Sequence, residues 1–394
     1  MDLDENILNN IQKALNVVHA SPDLEQRASV LLWLARAHKQ AEISLRSSGP
    51  GPYPEEQELA LVMSALREHA AADGSLVGVQ EYDDLDPGWV ESLLKRIAAP
   101  KVPFPTHGPG ELPTIPMPNS TRLAMVGDWG TGDPSSLAIA HQMAVQQTPY
   151  TIHLGDVYYA GTEEECRQNF VAPWPVGSTG SLALNSNHEM YSGGKGYFTV
   201  NLQSPKFALQ RGLSYFALEN AQWIIVGLDS AYYAEDYLFQ HGHLDDAVQL
   251  PLLRSLGQRA RAQGKGLILL SHHQGITETG AFEPLWQQVT QALADGPETY
   301  YWYWGHIHAA IVHNPVQVGH QTVYGRCVGH GGIPYAAAKS LTSGATPVTW
   351  FESGVAGDPR EPARALNGFA VLRLEGSTLS EQLFSEYGNL RWPV

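Results

Sequence analysis

The rhythm of apolar positions changes once along this chain. Near the start Ile7, Ile11, Leu15 and Val18 recur at helical spacing, and Ser21-Pro22 offers an N-cap with a first-turn proline ahead of Leu31, Leu34, Ala35 and His38. Leu59, Val62, Leu66 and Ala70 form a third stripe, and Asp86-Pro87 opens a fourth that ends near Ile97. This pattern predicts a small all-α region over residues 1–99. Residues 100–120 carry Pro100, Pro103, Pro105, Pro109, Pro113, Pro116 and Pro118, the composition of an extended, semi-stiff connector. From Thr121 onward the period shortens to strands: Leu123–Val126, Thr151–Leu154, Leu182–Leu184, Trp223–Leu228, Leu267–Leu270 and Tyr300–Tyr303, then Gln321–Cys327, Phe369–Leu374 and Leu383–Tyr387. Asp133-Pro134 predicts a helix carrying Leu137, Ala140 and Ala144 between the first two, so 121–394 reads as an α/β domain, with the late strands forming a second sheet.

Composition narrows the classes. The 394 residues are 43% hydrophobic, enough for a real core, and carry 24 Lys and Arg against 40 Asp and Glu, a net charge of −16. Coating nucleic acid or an anionic membrane needs the opposite balance, so neither is expected as a partner. Two cysteines, Cys166 and Cys327, make no disulfide scaffold. The opening residues are acidic where a secretory leader needs a basic segment, and no run of about 18 apolar residues occurs, so a soluble, cytoplasmic protein is expected.

The chemistry sits after the strands. Gly127-Asp128-Trp129-Gly130 follows the first and Gly155-Asp156-Val157-Tyr158-Tyr159 the second. Asn185-Ser186-Asn187-His188-Glu189 follows the third, Ser271-His272-His273-Gln274 a later one, and Gly305-His306-Ile307-His308 the tryptophan and tyrosine strand. Loops at the carboxyl ends of strands in an open α/β sheet converge on one crevice. Carboxylate oxygens mixed with imidazole nitrogens suit Fe, Mn, Zn or Ni and are too nitrogen-rich for calcium. No phosphate-binding glycine loop, dinucleotide fingerprint or nucleophile elbow is present.

These five motifs, in this order, resemble those of the calcineurin-like metallophosphoesterases, and within them the purple acid phosphatases, over about residues 121–390. The resemblance implies a four-layer αββα sandwich of two mixed sheets and a two-metal centre. Most of that superfamily has a histidine ligand where this chain has Gly130, and purple acid phosphatases place a tyrosinate where it has Tyr159; the alternative is that Tyr159 merely packs. Carried over, the first metal takes Asp128, Asp156, Tyr159 and His308, and the second Asp156, Asn187, His272 and His306, with Asp156 bridging. Fe(III) with Fe(II), Zn or Mn is the implied pair. The resemblance implies that His188 is catalytic, donating a proton to the leaving group or stabilising the transition state, and that His273 is catalytic through contact with phosphate, the alternative for His273 being a structural role. Asn187, His188, His273 and His330 are the expected substrate-binding residues, with Arg326 and Gly329–Gly332 as further candidates for the substrate mouth.

The implied reaction is hydrolysis of a phosphate monoester by a metal-bound hydroxide attacking phosphorus. Two alternatives stay open: a phosphodiesterase using the same metals, and a non-catalytic scaffold. Weaker features include Asp229, read as a support for the site or a turn residue, and His241 and His243, read as surface residues. Glu163–Glu165 reads as a solvated helix start. The helical front matches neither the β-sandwich of plant-type purple acid phosphatases nor the bare animal type; capping the crevice, self-association and binding a partner are the roles open to it.

Overall fold

The computed structural model describes residues 99–108, 110, 112–236, 239–277, 280–334, 348–357 and 364–393. Contacts divide the chain into two units, Met1–Pro100 with Tyr191–Gly193, and Lys101–Met190 with Gly194–Val394. The four helices expected before residue 99 lie outside the described residues. The second unit holds all five motif loops. No described helix is long and apolar enough to cross a membrane.

Two sheets form the second unit. One runs in the order β15 (Leu390–Trp392), β14 (Thr378–Ser385), β13 (Gly368–Glu375), β2 (Ser120–Val126), β3 (Tyr150–His153) and β4 (Gly180–Ala183). The other runs β1 (Ile115–Pro116), β5 (Phe216–Glu219), β6 (Trp223–Gly227), β7 (Gly266–Ser271), β8 (Thr299–Trp304), β11 (Gln321–Val328), β9 (Ala310–His313) and β12 (Val348–Phe351), with β10 (Val316–Val318) paired on β11. β2, β3 and β4 are parallel, as are β6, β7, β8 and β11, while β13 is antiparallel to β2 and β5 to β6. Both sheets are therefore mixed.

Side-chain alternation places the layers. On β2, Leu123 and Met125 face the other sheet, meeting Ile225, Ile268 and Leu270 in an inter-sheet core. Ala124 and Val126 face outward, under Ile139, Ala140 and Met143 of α1 (Pro134–Val145). On the second sheet Ile224, Val226, Leu267 and Leu269 turn outward to Leu253, Leu256 and Ala260 of α2 (Gln249–Gln263) and to Leu285 and Val289 of α3 (Pro284–Ala292). This is a four-layer αββα sandwich. Each such Leu, Ile or Val contributes about 1.5–3 kcal/mol through burial. A one-residue slip of β2 would exchange its two buried faces, so the register of Met125 opposite Ile152 is strongly fixed.

The expected strands all appear, with the last shifted to Thr378–Ser385. On α1 the buried face is Ser136, Ile139, Ala140 and Met143, and Leu137, which the sequence pattern placed inside, is exposed. The proline-rich segment does not hang free: β1 pairs in parallel with β5, Phe104 stacks on Tyr215, and Tyr215's hydroxyl accepts the His107 amide. Pro fixes φ without offering an amide, which suits such a short edge strand.

Candidate metal centre

The parallel strands of both sheets deliver the five motif loops to one place. Asp128 follows β2, Asp156 follows β3, Asn187 and His188 begin the short helix Asn187–Met190 after β4, His272 and His273 follow β7, and His306 and His308 follow β8. The loops interlock through their main chains: the Asp128 amide donates to the Gly155 carbonyl, the Gly127 amide to Val328, and the Gly305 amide to His272. Asp128, Asp156 and His306 all hold positive φ, at 57°, 77° and 65°. Left-handed backbone costs a non-glycine residue of order 1–3 kcal/mol, and it clusters where function over-determines geometry. The preceding glycines make the approach feasible. A Cβ on Gly305 would lie 2.6 Å from Asp128 Oδ2, and one on Gly155, at φ 106°, would lie 2.6 Å from His272 Nδ1.

Lone pairs converge in two adjoining groups. His272 Nδ1–H donates to the Leu154 carbonyl at 3.0 Å, which leaves Nε2 bare. Around that nitrogen lie Asn187 Oδ1 at 2.8 Å, His306 Nδ1 at 3.2 Å and Asp156 Oδ1 at 3.3 Å. Asp156 Oδ1 is buried and receives no hydrogen bond. On the other side of Asp156, the Tyr158 hydroxyl donates to Oδ2 at 2.8 Å and lies 3.1 Å from His308 Nε2 and 3.4 Å from Asp128 Oδ1. Asp156 thus belongs to both groups through different oxygens. Its ion-pair partners and that of Asp128 are histidines, with no Lys or Arg among the described residues.

Protonation agrees with a site built for cations. Burial pushes the His272 imidazole down to about 3 and that of His308 to about 4, and burial with neighbouring His273 and His272 lowers His306 well below the ordinary range. Neutral imidazole is the form that ligates. Burial and the Asp156 charge raise the Asp128 carboxyl; burial would raise Asp156 too, but His188, His272 and His306 hold it well below the usual range. Bare nitrogens facing carboxylate and amide oxygens in a dry site repel unless a cation lies between them, so the donor set fits two metal ions. One atom each from Asp128, Asp156 and His272 can be chosen within 4.8 Å of one another.

The structure brings Asp128, Asp156, Asn187, His188, His272, His306 and His308 together. It departs from expectation at four residues. The hydroxyl among the carboxylates belongs to Tyr158, whereas Tyr159 bonds through its main chain: its amide donates to Glu165 and its carbonyl accepts from His188 Nδ1. The reason is alternation. Val157 bridges Gly130 and packs into the core behind the sheet, so its neighbour Tyr158 faces the carboxylates beside Asp156. His273, expected at the phosphate, has both nitrogens committed: Nε2–H donates to the Phe239 carbonyl at 2.6 Å, and Nδ1 accepts from the Ser230 hydroxyl at 2.9 Å. Its ring lies 4.7 Å from that of His306, as a wall of the site. His330, expected to bind substrate, turns toward β13, where a Cβ on Gly368 would meet its Nε2 at 2.7 Å, while the neighbouring Gly329 backbone passes Asp128. Arg326 is paired with Glu381 at 2.8 Å and does not line the crevice.

His188 sits at the site as expected. Its Nδ1–H donates to the Tyr159 carbonyl at 2.6 Å, so Nε2 turns inward, 3.9 Å from Asp156 Oδ2, with the ring against Tyr158. Asp229 both makes a turn and supports the site, accepting the Ala231 and Tyr232 amides and, through both oxygens, the Asn185 amide group ahead of Asn187. His241 is exposed beside Glu283, and His243 rests on Gln288. Sequence reading passed over Glu189, which is fully buried: burial and Asp156 push it up to about 8, and it accepts the Asp156 amide at 3.3 Å and the Ser186 hydroxyl. A charged residue directly after Asn-His in an otherwise buried loop is the signal that could have flagged it. Cys166 and Cys327 are both buried, and neither forms a disulfide among the described residues.

Residues 121–310, just under half of the chain, match the calcineurin-like phosphoesterase family. A search of the curated proteins finds no match. Among solved structures the fold is similar to a purple acid phosphatase from yellow lupin (Lupinus luteus) seeds, with 16% identity and TM-score 0.50 over 69% of this chain. The match spans about half, 52%, of the lupin protein. It is also similar to GAP50, described as the anchor in the inner membrane complex of Plasmodium, at 10% identity and TM-score 0.47 over 69% of this chain and 87% of that one. A dimetal phosphatase from Danio rerio matches at 11% identity and TM-score 0.44 over 67% of this chain and 95% of the other.

Proposed function

We propose that this protein is a purple acid phosphatase-like hydrolase of phosphate monoesters, with His188 as the proton donor. The observation that carries the reading is the double role of Asp156, whose two oxygens face two separate groups of ligand atoms. Asp128, Asp156, His308 and the Tyr158 hydroxyl would hold one cation, and Asp156, Asn187, His272 and His306 the other. A tyrosine among the donors favours Fe(III) at the first position, with Fe(II), Zn or Mn at the second. Such a pair supplies Lewis-acid charge for the phosphoryl oxygens and lowers the pKa of water.

The chain's own residues would do the rest. Leu154's carbonyl fixes the His272 tautomer, and Glu189 and Asp229 hold the loops from which Asp156 and Asn187 project. His188 Nε2 faces the crevice, placed to deliver a proton to the departing alkoxide as water takes its place at phosphorus. The −16 net charge disfavours anions at the general surface, so phosphate recognition rests on this crevice. Turnover of p-nitrophenyl phosphate against its bis ester tests the substrate class: a preference for the monoester supports the reading, and a preference for the bis ester overturns it in favour of a phosphodiesterase.

A further inference from the structure

Outside the ligand set, Glu165 is bonded in a way a solvated helix start does not require. It is half-buried, and its two oxygens accept four donors: Oε1 takes the Tyr159 amide at 2.9 Å, and Oε2 takes the Ala160 amide at 3.2 Å, the Thr162 amide at 2.8 Å and the Thr162 hydroxyl at 2.8 Å. The two Thr162 bonds, with the Glu165 amide returning to Thr162 Oγ1 at 3.3 Å, are a capping box at the start of Glu163–Glu165. The other two are not part of any cap. They reach back into the segment that runs past the metal centre.

The Ala160 amide and the Tyr159 carbonyl are the two ends of one peptide group. Glu165 holds its N–H end, and His188 Nδ1 donates to its C=O end at 2.6 Å. We infer that Glu165 is a positioning residue for His188, acting through the Tyr159–Ala160 peptide group. A carboxylate on the amide end fixes the orientation of that planar group and polarises it, which strengthens the carbonyl as an acceptor. A firm acceptor at Nδ1 sets the imidazole tautomer and aims Nε2 at the crevice. A carboxylate and a histidine are linked here as in a catalytic triad, with a peptide unit between them. The inference rests on the proposed proton-donor role of His188.

The test is a double-mutant cycle in the full-length, metal-loaded protein with p-nitrophenyl phosphate. Glu165→Gln keeps the shape but replaces one acceptor oxygen by an NH2 group that cannot receive these amides. It is expected to lower kcat about tenfold with KM changed less than about threefold, whereas Thr162→Ala, which removes the cap hydroxyl alone, leaves kcat within about twofold. In a His188→Ala background the Glu165→Gln effect should vanish, because coupled residues are non-additive. A readout independent of turnover is the ring-nitrogen NMR signal of His188: solvent exchange of its Nδ1–H should quicken at least tenfold in Glu165→Gln. If Glu165→Gln does not fold, Glu165→Asp, one methylene too short to span these donors, is put through the same comparisons with the same expectations. Additive losses, equal losses in Thr162→Ala, or an unchanged Nδ1–H signal would each show a cap and nothing more. A wild-type protein without phosphoesterase turnover would instead overturn the proposed function, while the NMR comparison would still decide the relay.

Discussion

Which of two adjacent tyrosines faces the carboxylates of the site is decided by one turn of backbone alternation. The motif spacing pointed to Tyr159, while the side chain facing Asp156, Asp128 and His308 is Tyr158. Replacing each by Phe separates them: Tyr158→Phe should abolish the visible tyrosinate-to-iron absorption of the iron-loaded protein, and Tyr159→Phe should leave it. The opposite pattern would return the ligand to Tyr159. The aspartates and histidines of the site were legible because each stands immediately after a strand and has chemistry that little else in an apolar strand end would need. Glu165 was not legible, since its significance lies in main-chain amides that it accepts, and nothing in a sequence marks the amide a carboxylate will find.

At the scale of elements, the strands that carry the site were readable as runs of Val, Ile, Leu, Tyr and Trp, because strands buried on both faces are apolar throughout. The short strands β9 and β12 escaped although AIVH and VTWF are strand-forming residues, because four residues are too few to set a period. Beside the site, β3 and the outer layer enclose a residue with a distinct consequence. His153 is fully buried, its ring 4.5 Å from Phe170 and 5.4 Å from Trp174, with neither nitrogen hydrogen-bonded. Burial lowers its pKa to about 3. Since the unfolded chain protonates this histidine below about pH 6.5 and the folded one does not, its contribution to stability is complete above that pH and is lost as pH falls, at about 1.4 kcal/mol per unit. Between pH 7 and 5 the unfolding free energy of the wild type should therefore drop by about 2 kcal/mol more than that of His153→Leu. Urea titrations at the two pH values measure the difference, and equal drops would refute it.

For the whole molecule, two sheets with a shared inter-sheet core bring the carboxyl ends of β2, β3, β4, β7 and β8 to one crevice, and the chain's chemistry is concentrated where they meet. The acidic composition and the cation-ready interior are consistent once recognition is local: overall charge governs what the surface repels, and the ligand groups govern what the crevice accepts. Architecture was legible because strand and helix periods are written in side-chain polarity, but the docking of the proline-rich segment on β5 was not, since it rests on a two-residue strand. If Asp156 joins two cation sites in a hydrolase, metal binding and turnover depend on it together. Elemental analysis of purified wild type and Asp156→Asn, paired with p-nitrophenyl phosphate turnover, tests it most directly. About two metal equivalents per chain are expected in the wild type, with metal and turnover lost together in the variant; an Asp156→Asn protein that kept both metals and full turnover would contradict the claim.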